Sequence, residues 1–223
     1  MPTIKDNLTS VNYTPRGTKP SWIVIHNTSN GTSTPPIAYN NTQYFKSTYR
    51  GASATYFIDD GDTIYRCVRD TDTAWHCGES ASRNGCYNSN SIGIEVCERS
   101  DGTFSEKEIQ TLGWLVQGLM NKYGIPASRV CRHHDVTGKE CPWYYSNDSR
   151  WATLKKRITE GNMLTKEDAN TIWAFDNWGD QVGARSGTAW RNLMDTNRRI
   201  QTVEKDVKSL NEKLDKIVKK LGA

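Results

Sequence analysis

Short apolar runs separated by polar, turn-forming stretches fill the N-terminal part of the chain; a different period takes over near the C-terminus. Ser21 to His26 is a β-branched run of the kind that forms a buried strand. The Pro-bearing stretch Asn27 to Pro36 ends it as a surface loop. From Ala38 to Tyr49, the residues Ala38, Asn41, Tyr44, Phe45 and Thr48 recur at helical spacing. Ala54–Ile58 and Thr63–Val68 are β-rich runs around Asp59-Asp60-Gly61-Asp62, which predicts a hairpin. Ser91–Cys97 reads as another buried strand, with the carboxylate of Glu95 inside it. Ser105–Tyr123 is an amphipathic helix: Ser105 and Glu108 fit a capping box, and Ile109, Leu112, Leu115, Val116 and Leu119 form one stripe. Trp151–Ile158 is a further short helix. Strands and helices mingle through Ile158, which predicts an α/β fold with a central mixed β-sheet flanked by helices.

Beyond Thr159 the pattern changes. Thr165 and Asp168 can cap a helix running to Trp178, and Gly179–Gly187 breaks it. From Leu193 the steps alternate three and four through Thr196, Ile200, Val203, Val207, Leu210, Leu214, Ile217 and Leu221. Sustained over roughly four heptads, this predicts a coiled coil and a homo-oligomer, the alternative being one amphipathic helix docked on the body. The expected organisation is a main α/β domain at 1–160, a helical linker or small hairpin at 161–190 and an oligomerisation helix at 191–223.

Composition narrows the classes. Hydrophobic residues make up 35% of 223, but eight tryptophans and ten tyrosines can supply large buried areas. No run approaches the ~18 apolar residues of a membrane span, so no membrane insertion is expected. The first residues lack the basic start and apolar run of a signal peptide, which points to a protein kept in the cytoplasm at first. The net charge of +4 is local: nine basic and five acidic residues fall in 191–223, leaving 20 of each in 1–190. A neutral body with a lysine-bearing tail gives no basic face for nucleic acid. The six cysteines include no CxxC pair, so most are expected to be buried thiols, with one doing chemistry.

That one is Cys141. Arg132-His133-His134-Asp135-Val136-Thr137-Gly138-Lys139-Glu140-Cys141-Pro142 gathers imidazole, carboxylate, ammonium and thiol in one Gly-bearing loop, and His26 closes a buried strand. Two His and one Cys are a ligand set for catalytic zinc, which keeps its fourth position for water. Thiolate lowers the acidity of such an ion, so a separate base is needed, and Glu95 is the candidate; a salt-bridged core glutamate is the other reading. Lys139 could stabilise an oxyanion or be a solvated loop residue.

Together, His26 after Trp22-Ile23-Val24-Ile25, Ser91-Ile92-Gly93-Ile94-Glu95 and His133 through Lys139 to Cys141-Pro142 resemble the zinc-dependent N-acetylmuramoyl-L-alanine amidases. The likeness is to the type of phage endolysins and Gram-positive prophages, related to peptidoglycan recognition proteins, and covers about residues 5–158. Trp75-His76-Cys77-Gly78 resembles that family's Trp-His-Ala-Gly segment. The resemblance implies Zn2+ held by His26, His133 and Cys141, with His133 rather than His134 the ligand. It implies Glu95 as general base and Lys139 polarising the scissile carbonyl. His76 would bind substrate in the groove or be a hydrogen-bonded structural histidine. The implied partner is bacterial peptidoglycan, reached at host lysis, after which the protein acts on the cell wall. The chain departs at Ala54 and Thr55, where relatives carry a tyrosine or a histidine, which excludes a mechanism relying on that tyrosine. The rival readings are a non-catalytic muropeptide binder and a phage structural protein assembled through the coiled coil.

Overall fold

The computed structural model describes residues 2–160. The chain runs through β1 (Thr3–Asp6), β2 (Tyr13–Pro15), β3 (Trp22–Asn27), α1 (Ile37–Lys46), β4 (Tyr56–Ile58), β5 (Thr63–Arg66) and β6 (Asp72–Ala74). It continues through β7 (Ser91–Val96), α2 (Glu106–Tyr123), β8 (Val130–Arg132), α3 (His133–Thr137) and α4 (Asp148–Glu160). Six strands form one sheet in the order β1-β5-β4-β7-β3-β8, while β2 and β6 pair as a separate antiparallel ribbon. Only the β4–β5 pairing within the large sheet is antiparallel, so the sheet is mixed, as the sequence predicts. No helix among the described residues is long and apolar enough to cross a membrane. The expected linker helix and coiled coil lie outside the described residues.

Side chains of the central strands divide by the period-two rule of a pleated sheet. Ile23 and Ile25 of β3, Ile92, Ile94 and Val96 of β7, and Tyr56 and Ile58 of β4 share one apolar cluster with α2 and α4. The α2 stripe Ile109, Leu112, Leu115, Val116 and Leu119 is buried there, and α4 adds Trp151, Leu154 and Ile158. Each such side chain contributes roughly 1.5–3 kcal/mol on burial, so this layer fixes which way the strands face. The alternate positions look the other way: Val24 joins Cys77, Cys86, Cys131 and Val136, while Phe57 joins Ala38, Ala54, Cys67 and Cys97 near α1. All six cysteines are buried and free.

Local chemistry sets the ends of α2. The Ser105 hydroxyl accepts from the Glu108 N–H and the Glu108 carboxylate accepts from the Ser105 N–H, closing the expected capping box. Gly124 ends the helix in the left-handed region at φ 65°, which glycine adopts without strain. The fully buried Asp70 carboxylate then ties α2 to the sheet by accepting from Tyr56 Oη at 2.5 Å and Tyr123 Oη at 2.8 Å, with Lys122 Nζ at 3.2 Å.

Several elements differ from the sequence reading. The first helix is Ile37–Lys46, and the first arm of the hairpin begins at Tyr56. β1 is not visible as an alternating pattern because three of its four residues are exposed; it exists by parallel pairing with β5. β2, β6 and β8 have three residues each, too few for periodicity to register. His133–Thr137, expected as loop, is a single short helix ended by Gly138 at φ 86°.

Glu108 carries a testable cost. Burial pushes its carboxyl up to about 8, with Asp60 adding to the rise against the Ser105 hydrogen bonds. A carboxyl raised in the folded state favours the protonated form, so its contribution is most favourable below the unfolded value and fades as pH climbs toward 8. Glu108→Gln keeps a cap acceptor without the charge. We expect the melting temperature of the variant to gain on the parent between about pH 5 and about pH 8, measured by thermal unfolding.

Candidate metal centre and active site

β3 and β7 run parallel with His26 directly opposite Glu95. Because Ile25 and Ile94 face α2, these two residues point to the opposite face, at the carboxyl ends of adjacent strands. His26 is 2% exposed and Glu95 20% at the side chain, and His26 Nδ1 lies 4.0 Å from Glu95 Oε1.

His133 arrives from β8. Arg132 pairs with Ile25 across the β3–β8 ladder and turns toward α4, where its guanidinium lies 5.5 Å from the Trp151 ring. It donates to Asp135 and Asp148 and to the carbonyls of Tyr145 and Ser146. This clasp holds the start of α3, so the next residue, His133, projects to the His26 side; the two rings have centroids 4.8 Å apart at 68°. The His134 N–H donates to the Cys141 carbonyl at 2.9 Å, closing the loop that returns Cys141 to the site. Asn27, after His26 on β3, accepts from the Trp143 N–H at 3.1 Å and fixes the same loop from the other side.

The result is one cluster. Ligand atoms of His26, His133 and Cys141 lie within 4.8 Å of one another, and all three residues are buried. His26 Nδ1 is 3.6 Å from Cys141 Sγ. A tetrahedral zinc with bonds of ~2.0–2.1 Å to nitrogen and ~2.3 Å to sulfur spaces such a pair about 3.5 Å apart. His133 Nδ1 and Glu95 Oε2 are buried with no hydrogen-bond partner, as expected of groups whose partner is a cation and its water. Burial holds His26 well below the ordinary imidazole value and His133 at about 4, so both rings are neutral and offer lone pairs. Burial and the nearby Glu95 push the Cys141 thiol up to about 12. Two neutral imidazoles and a thiol that a cation can deprotonate fit zinc.

Glu95 sits beside this cluster. Burial lifts its carboxyl to about 8; Lys139 opposes the rise and Glu98 adds to it. Lys139 itself is exposed at the rim. His76 lies under the site: its Nδ1 is 3.0 Å from His26 Nε2 and its Nε2 is 3.1 Å from Ser91 Oγ. His134 is half-buried and does not join the ligand cluster. Ala54 and Thr55 are buried near β7, with the Thr55 N–H donating to the Gly93 carbonyl at 2.9 Å.

The residues that sequence reading missed are supports. Glu98 is 2% exposed and holds the loop after β3 through Thr28 Oγ1 and the N–H groups of Ser29 and Gly31. Asn88 Oδ1 accepts from the N–H groups of His76, Cys77 and Gly78 at 2.8–3.0 Å. Gly93 was legible as a glycine inside a buried strand, a sign of close approach. A Cβ there would stand 2.6 Å from the His76 ring.

The comparisons agree with this geometry. Residues 16–144 match the family model described as N-acetylmuramoyl-L-alanine amidase. The chain is 36% identical over 148 residues to the N-acetylmuramoyl-L-alanine amidase CwlH of Bacillus subtilis, covering 66% of this chain and 56% of that protein. It is 36% identical over 146 residues to the amidase XlyA of Bacillus subtilis, covering 66% and 46%. The chain thus spans about half the length of these relatives. Among solved structures it resembles a mutant endolysin from Bacillus subtilis, with TM-score 0.61 and 32% identity over 71% of this chain and 99% of that one. The catalytic domain of XlyA superposes with TM-score 0.59 and 31% identity over 70% and 98%. Sheet, site and sequence place this chain in the N-acetylmuramoyl-L-alanine amidase family.

Proposed function

We propose that the chain is a zinc-dependent peptidoglycan hydrolase that cuts the amide between the lactyl group of N-acetylmuramic acid and L-alanine. The observation that carries this reading is the convergence of His26, His133 and Cys141 beside an unpartnered Glu95 oxygen. Those three residues would hold zinc. When bound, zinc supplies Lewis acidity, lowering the pKa of water toward ~7 and polarising a carbonyl.

The protein's own groups do the rest. The Glu95 carboxylate accepts a proton from the attacking water at its unpartnered oxygen. The water oxygen bonds to the carbonyl carbon, and the Lys139 ammonium adds positive charge where the carbonyl oxygen becomes negative. The carbon–nitrogen bond then breaks as Glu95 returns the proton to the departing alanine nitrogen. Products are a free lactyl carboxylate and a stem peptide with a free amine. The position of Glu95 supports its role, since its unpartnered oxygen lies beside the ligand cluster.

The heptads from Leu193 support a second element of the proposal: self-association, which would raise avidity for a repetitive polymer. The enzyme would meet its substrate at the cell wall after release by host lysis.

Digestion of purified Gram-positive walls followed by mass spectrometry is expected to yield stem peptides beginning with free alanine; intact glycopeptide would make the chain a binder. Glu95→Gln is expected to keep stoichiometric zinc while wall clearing falls by ~10²–10⁴. Cys141→Ser is expected to lose zinc on dialysis, read by metal analysis. Light scattering is expected to show more than one chain per particle, and a monomer would remove the self-association element.

A further inference from the structure

We infer that His76 is a positioning residue whose hydrogen bonds to His26 and Ser91 set the tautomer of His26 and aim its Nδ1 lone pair at the metal position. The inference rests on the metal reading above and assigns His76 a different task from contact with substrate.

The direction of each hydrogen bond follows from a count of protons. Ser91 Oγ lies 2.5 Å from the Tyr87 carbonyl, which can only accept, so the single hydroxyl proton is used there. Towards His76 Nε2, 3.1 Å away, Ser91 Oγ must therefore accept, and His76 carries its proton on Nε2. In the neutral ring His76 Nδ1 is then a lone pair, and it faces His26 Nε2 at 3.0 Å. His26 must donate from Nε2. Its own lone pair is then on Nδ1, the atom 3.6 Å from Cys141 Sγ. An outer partner that fixes the ring proton of a ligating histidine in this way governs both orientation and ligand basicity.

The surroundings hold His76 to this task. Three backbone N–H groups, from His76 to Gly78, converge on Asn88 Oδ1 and lock the turn that carries it. Ser91, Gly93 and Glu95 share one face of β7, and the His76 ring lies over Gly93 between the other two. Any side chain at position 93 would push the ring away, with a Cβ 2.6 Å from Cγ and 2.8 Å from Nδ1. Both ring nitrogens are occupied inside the protein, which leaves neither for a muropeptide.

Two measurements on the full chain test this. Long-range proton–nitrogen NMR of the unsubstituted protein, with and without zinc, is expected to show the His76 proton on Nε2. A proton on Nδ1 would overturn the inference, whatever the variants do. Zinc affinity by chelator competition is expected to fall ~10–100-fold in His76→Ala. His76→Asn, whose amide oxygen can stand where Nδ1 accepts, is expected to restore most of that loss. Parent-like zinc affinity in His76→Ala with a raised KM would instead identify a substrate contact and overturn it. A parent chain that binds no zinc sinks the metal reading separately, and the tautomer still decides the hydrogen-bond direction.

Discussion

The in-register parallel pairing of β3 with β7 is the constraint on which the site depends. It sets His26 opposite Glu95 and, through the same ladder, Val24 opposite Gly93 and Trp22 opposite Ser91. Strand side chains alternate strictly, so a slip of one residue would turn His26 and Glu95 to opposite faces. What prevents the slip is the apolar layer: Ile23, Ile25, Ile92 and Ile94 are all fully buried against α2 and α4. The hydrophobic effect on one side of the sheet thus orients the chemistry on the other.

Around that pair the protein adds hydrogen-bonded supports. The Arg132 clasp anchors α3 toward α4, so that the following residue faces the site. Asn27 and His134 tie down the segment that returns Cys141. These contacts bring His26 of β3 and two donors of the 133–141 stretch into one small volume.

Burial then sets the protonation states. The same low-dielectric surroundings that keep His26 and His133 neutral lift Glu95 and Cys141. A cation held by the cluster would offset this burial, since neutral imidazoles offer it lone pairs and it would favour a thiolate. The exposed Lys139 bears on Glu95 from the rim, tempering the effect of burial.

Much of this was readable before any coordinates. The β-branched runs of β3 and β7, the α2 stripe and its capping box are local patterns, and a local pattern survives in one dimension because neighbours in sequence create it. The residues that cluster were also legible, since imidazole, thiol and a buried carboxylate carry their chemistry in the residue itself. The short strands, the α3 turn and the contacts of His76 were not. β1 is polar and exists by pairing with β5, and three-residue strands have no period. His76, Ser91 and His26 are far apart along the chain, and the direction of their hydrogen bonds depends on where the Tyr87 carbonyl stands. Which groups touch, and which donates to which, is a matter of distance in three dimensions, and only the packed sheet sets those distances.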